Sequence, residues 1–276
     1  MRAAKPTKLY GSGDDLHAAW RQPLSTKPKH GAREEWADRL FALSYEFKDK
    51  AEPLQVACVP ARWRTMSESP AQLSVQYVPV HSKDERRRGR VVVNVEDQKF
   101  KALLQFMQTG DLASSISLLR EAELALYRKF TNPYAAAAGG YVLTHAGYHY
   151  WQPDWWHWLH NLASHFPALP DGHILLSNLI LQGPKEAKLQ LDGYSRQHGW
   201  NLALESVLEA VRRGPPMYRF GIRMLLSNMA ILNHLVDAKH PDRHRLDTAV
   251  DYVQNLSVRV DRHQPFCVFD VGRNAP

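Results

Sequence analysis

The densest cluster of side chains able to do chemistry is the stretch THAGYHYWQPDWWHWLHNLASH, which carries His145, His149, His157, His160 and His165. His145 and His149 are four residues apart and His157 and His160 three, so on a helix each pair shares a face. Metal sites use that spacing, normally completed by a carboxylate and by outer hydrogen bonds that orient each imidazole. Only Asp154 lies nearby, Gly147 interrupts the first pair, and no HExxH string occurs. Surface and interface histidines are therefore the expected reading, with no metal site; a hidden enzyme or metal site in the 145–165 cluster is kept as an alternative.

Cysteine chemistry is weakly provided for. A nucleophilic thiol needs a base in reach and an accessible, electropositive setting. Cys58 falls in an alternating apolar run that should bury it, and Cys267 in QPFCVF has His263 four residues before it. Two cysteines this far apart make neither a disulfide framework nor a metal-binding spacing, and they fit a reducing compartment. No GxSxG elbow, GxxxxGK[ST] loop or GxGxxG turn is present, so serine-hydrolase and nucleotide chemistry are unsupported and no cofactor is expected.

Two features suit binding rather than catalysis. The run KDERRRGR places Arg86, Arg87, Arg88 and Arg90 between two expected strands, where guanidinium groups could grip phosphate oxygens. No aromatic residues are interleaved with it for base stacking, so a solvated loop that protects a sheet edge is favoured over nucleic-acid recognition. The second feature is the tryptophan group Trp151, Trp155, Trp156 and Trp158. Neighbours Trp155 and Trp156 cannot point the same way from one helix. One is expected in the core and the other at a groove or partner contact, where indoles are enriched.

Composition bounds the class. The 276 residues are 44% hydrophobic and 23% charged, ordinary values for a chain with a real core. A net charge of +7 allows contact with polyanions without requiring it. The N-terminus lacks the apolar core of a signal peptide, and no apolar run reaches membrane-spanning length. A cytoplasmic protein with no membrane association is expected.

These side chains need elements to hold them. Residues 1–35, rich in Lys, Pro, Gly and Ser, read as a polar, weakly structured arm. Over 36–96 the apolar period is two: Phe41, Leu43, Tyr45 and Phe47, then Leu54, Val56 and Cys58, then Leu73, Val75 and Tyr77, then Val91, Val93 and Val95. This predicts a small antiparallel, sandwich-like β unit leaning on the helices after it; the first run also fits a helix, with Trp36, Leu40, Leu43 and Phe47 on one face. From 97 to 276 helical stripes take over, with starts at Asn132-Pro133, Gln152-Pro153 and Pro170-Asp171 and stops at Gly147, Pro167 and Gly183. The class is α+β: a β unit, then an array of α-helical hairpins and a tail that folds back on Phe266 and Phe269. Ala135–Ala138 with Gly139-Gly140 allow a close helix pair of tetratricopeptide type.

The strings FTNPYAAAAGGYVL, LPDGHILLSNL, LEAVRRGPPMYRFGIRMLL and HQPFCVF make residues 92–269 resemble the helical accessory region found C-terminal to caspase-like and other protease modules in bacterial multidomain proteins. The resemblance implies an accessory helical domain with no catalytic residue of its own. A non-enzymatic interaction or scaffold module is the expected function, with another protein as partner. A nucleic-acid-associated basic protein using Arg86–Arg90 is the alternative.

Overall fold

The computed structural model describes residues 8–10, 17–22, 39–43, 46–47, 50–51, 54–60, 63–65, 71–78, 90–109, 116–147, 152–184 and 199–271. Among them run strands β1 (Lys8–Tyr10), β2 (His17–Gln22), β3 (Arg39–Leu43), β4 (Glu46–Phe47), β5 (Lys50–Ala51), β6 (Leu54–Val59), β7 (Gln72–Val78) and β8 (Arg90–Glu96). Helices come next as α1 (Lys101–Thr109), α2 (Ile116–Tyr127), α3 (Pro133–His145), α4 (Asp154–His165), α5 (Pro170–Gln182), α6 (Gly199–Arg213), α7 (Arg219–Leu235) and α8 (Arg243–Ser257), and β9 (Val268–Val271) closes the order. Helix dominates, with a few antiparallel strands.

The strands do not make the expected sandwich. They divide into a sheet β1-β2-β7-β8, a sheet β3-β6-β9 and a β4-β5 pair. Within the stretch expected as a weakly structured arm, β1 and β2 are extended, and β2 lies along β7 with Trp20 opposite Val75. Alternation identified strands such as β8, which buries Val91, Val93 and Val95 and turns Asn94 and Glu96 outward. It could not show which strands pair. The third strand of the β6 sheet comes from the far end of the chain, with Val56 opposite Phe269 and Ala57 opposite Val268. One step further, the Cys58 amide donates to the Cys267 carbonyl at 2.8 Å.

β8 ends its sheet, and an exposed strand edge invites pairing with other chains. Two glutamine carboxamides blunt it. Gln55 Oε1 accepts from the Val91 amide at 2.8 Å, and Gln264 Oε1 accepts from the Val93 amide at 3.1 Å while its Nε2 donates to the Val91 carbonyl. Gln264 thus bonds the edge as one residue of an added strand would. The joint with the helices is a buried indole: Trp63 donates from Nε1 to Asp97 Oδ2 at 2.9 Å and packs edge-on against Phe100 and Phe266. Asp97 Oδ1 in turn accepts from the Lys99 amide just before α1.

Helices of neighbouring pairs pack on one another. α3 packs on α1, α2, α4 and α5, and α5 on α3, α4, α6 and α7. α3 and α5 are the central pair, buried nearly all round. Small residues make that crowding possible. A Cβ on Gly139 would collide with the Ala122 carbonyl of α2, and one on Gly172 would lie 2.8 Å from the Ala163 backbone of α4. α3 starts as its sequence predicts: the Asn132 side chain accepts from the Ala135 amide at 3.0 Å, with Pro133 next. It ends at Gly147, whose φ of 83° suits glycine. The α4 terminus uses a side chain instead. Arg213 Nη1, from the end of α6, donates to the carbonyls of Ala163, Phe166 and Leu169, while its Nε bonds Glu209.

Candidate interaction surface

A buried carboxylate sets the position of the central helices. Asp171, in the first turn of α5, is fully buried; its Oδ1 accepts from the Tyr141 hydroxyl of α3 at 2.8 Å and its Oδ2 from the Met217 amide at 2.8 Å. Burial pushes this carboxyl up to about 6, against the pull of the hydrogen bonds from Met217, Tyr141 and Tyr218. The Tyr218 hydroxyl donates to the Tyr134 carbonyl, and its ring stacks on Phe266. α3, α5, the entry to α7 and the returning tail therefore meet at one polar point. A second such point joins α5 to α7: Asn228 Nδ2 donates to the Ile174 carbonyl and to Ser177 Oγ, and Asn178 donates to Asn228 Oδ1. With every member bonded and closed from solvent, these groups hold helices in place.

This frame carries α4, and with it the tryptophans. Trp155 and Trp156 are both buried, Trp155 with its Nε1 3.3 Å from Glu123 Oε1 of α2. The expected division between core and surface fails for this doublet because α4 is packed by α2, α3 and α5 on more than one side. Trp158 is half-buried and meets the Tyr127 ring edge-on at 5.3 Å. Trp151 and Arg86, Arg87 and Arg88 lie outside the described residues, while Arg90 is exposed at the start of β8.

Around Trp158 lies a surface that sequence reasoning missed. Tyr127 and Phe130, at and just beyond the end of α2, are 59% and 57% exposed, and Leu124 one turn earlier is 41% exposed. Phe130 leans on His165 and Phe166. Lys129 is buried among them, its Nζ 5.4 Å from the Phe130 ring centre and 5.8 Å from that of Trp158. Burial lowers the lysine pKa, and the ring faces supply attraction to its charge. The signal was present in LALYRKF: Leu126 belongs to the core-facing stripe, so Tyr127 must face elsewhere, and Phe130 comes three residues later.

The histidines separate. His145 packs against Phe106 and Phe220, His157, His160 and His165 are exposed on α4, and His149 is outside the described residues. Among the described residues no group of three or more His, Cys, Asp or Glu side chains could hold a metal ion. His173, on α5, is a further imidazole; burial, with Arg213 beside it, pushes it down to about 4. Both cysteines are buried, and burial raises the Cys267 thiol well above its ordinary value. No helix among the described residues is long and apolar enough to cross a membrane.

Residues 102–271 match the family model of the Y4kD C-terminal domain. The chain belongs to that family. The matched span opens in α1 and closes on the last residue of β9, so the family unit includes the aromatic surface, the Asp171 centre and the returning strand. β6, the partner of β9, lies before it. No curated protein and no solved structure matches the chain.

Proposed function

We propose that the chain is a non-enzymatic protein-interaction module whose contact surface is the ring cluster of Tyr127, Phe130 and Trp158. The observation that carries this reading is the exposure of two large rings, 59% at Tyr127 and 57% at Phe130, the first against Trp158 and the second linked to Trp158 through the Lys129 ammonium. Contiguous exposed apolar area marks contact sites, and Tyr and Trp dominate the energetics of such sites. The buried Lys129 ammonium beneath the rings favours a partner that brings a hydrogen-bond acceptor to the middle of the patch. That the partner comes from a bacterial effector or protease system rests on the resemblance of the helical region to accessory regions that come after protease modules.

The test is a photo-crosslinking amino acid placed at Tyr127 or Phe130 in the full chain expressed in its host, with a second set at exposed Asp247 and Asp251 of α8 as control. A protein captured from the first pair and not from the second, and lost in Tyr127→Ser/Phe130→Ser, supports the module. Equal capture from both sets, or an unchanged partner in the double variant, removes the patch from consideration.

A further inference from the structure

A second surface is chemically unlike the ring cluster. Between the outward face of β8, the α1 helix and the 263–266 segment lies a groove of about 880 Å³, within the size range of ligand sites. Its lining carries the Arg90 guanidinium, the Lys101 ammonium and the His263 imidazole, together with the carboxamides of Asn94, Gln105 and Gln108, and among the described residues it includes no Asp or Glu. Arg90, Asn94 and Lys101 are exposed. The wall is built: the Gln108 Nε2 donates to the His263 carbonyl at 2.9 Å, and Gln264 is locked onto Val91 and Val93.

We propose that this groove binds a short acidic peptide segment, with Arg90 and Lys101 receiving its carboxylates and the carboxamide of Asn94 its main chain. Guanidinium and ammonium groups without a competing carboxylate select anions. Carboxamides both donate and accept, which matches peptide groups. Two other modes of occupancy fit less well. A strand added to β8 would have to displace the glutamines that already bond its edge. Single-stranded nucleic acid needs several rings on which successive bases stack; among the described residues the groove offers only the His263 imidazole, since Phe266 is fully buried against Tyr218.

The test uses the full chain immobilised against a displayed library of random heptapeptides, with recovered peptides resynthesised with a fluorescent label. Recovered peptides are expected to be rich in Asp and Glu, to bind more weakly as salt rises, and to lose roughly tenfold in affinity on Lys101→Glu or Arg90→Glu. Gln105→Glu gives the same direction without removing a cation. Tyr127→Ser/Phe130→Ser should leave this binding intact, which separates the groove from the ring cluster. Neutral or basic winners, no winners, or acidic winners indifferent to all three groove substitutions overturn the proposal. So does a labelled oligothymidine that binds more tightly than the peptides and responds to the same substitutions.

Discussion

The Tyr141 hydroxyl donates to Asp171 Oδ1 at 2.8 Å, joining α3 to the first turn of α5 with both residues closed to solvent. Removing that hydroxyl leaves a buried carboxylate short of one donor, and a hydrogen bond to a charged group is worth about 1.5–3 kcal/mol. Tyr141→Phe is expected to lower unfolding stability by about 2 kcal/mol, read from urea denaturation at pH 7. A midpoint within error of the wild type would mean that Asp171 does not depend on this bond.

Asp171 and His173 oppose one another in pH. Asp171 is raised from 3.8 to about 6, so between those values the folded state holds the extra proton and stability falls as pH rises. His173 is lowered from 6.5 to about 4, so there the unfolded state holds it and stability rises with pH. The two contributions offset over nearly the same window. His173→Gln removes one of them: measured against wild type, the variant should gain up to about 3 kcal/mol in relative stability on going from pH 7 to pH 4. Parallel stability curves for the two proteins would refute the offset.

Gly172 marks where α4 and α5 touch. A methyl group there would stand 2.8 Å from backbone atoms of Leu162 and Ala163, and overpacking of this kind costs about 1–3 kcal/mol. That exceeds the roughly 1 kcal/mol that alanine gains over glycine inside a helix. Gly172→Ala should therefore lower the thermal midpoint, and a raised midpoint would show that the two helices can separate freely.

Gln264 covers the β8 edge, donating to Asp261 Oδ2 at 2.8 Å as well as pairing with Val91 and Val93. Gln264→Leu leaves those backbone groups without their partner. A loss of about 2–4 kcal/mol is expected, together with concentration-dependent association beyond that of the wild type. Light scattering on the two proteins at matched concentration checks it, and identical mass and midpoint would contradict it.

The helices were legible because their punctuation is local. Asn132-Pro133, Pro170 and Gly183 mark boundaries that the structure keeps within α3 and α5. What sequence could not supply is which faces meet. The alternation of Leu54, Val56 and Cys58 identified β6 but could not bring Phe269 alongside it, so the expected sandwich lacked its true third strand. Asp171 looked like an ordinary first-turn acid, a position favoured by the helix dipole, and only the fold brings Tyr141 and Met217 to it. The Trp155-Trp156 pair drew attention to α4, yet the exposed rings stand one helix away at Tyr127 and Phe130.

The β6–β9 ladder also carries a schedule. Cys58 and Cys267, bonded through their backbones, are 209 residues apart. A ribosome adding about 5–20 residues per second takes roughly 10–40 s to cover that distance. For that interval the emerged strand has a bare flank in the nascent polypeptide, a stretch open to chaperones and to sticking. Completion of the β3-β6-β9 sheet thus waits until β9 has been translated.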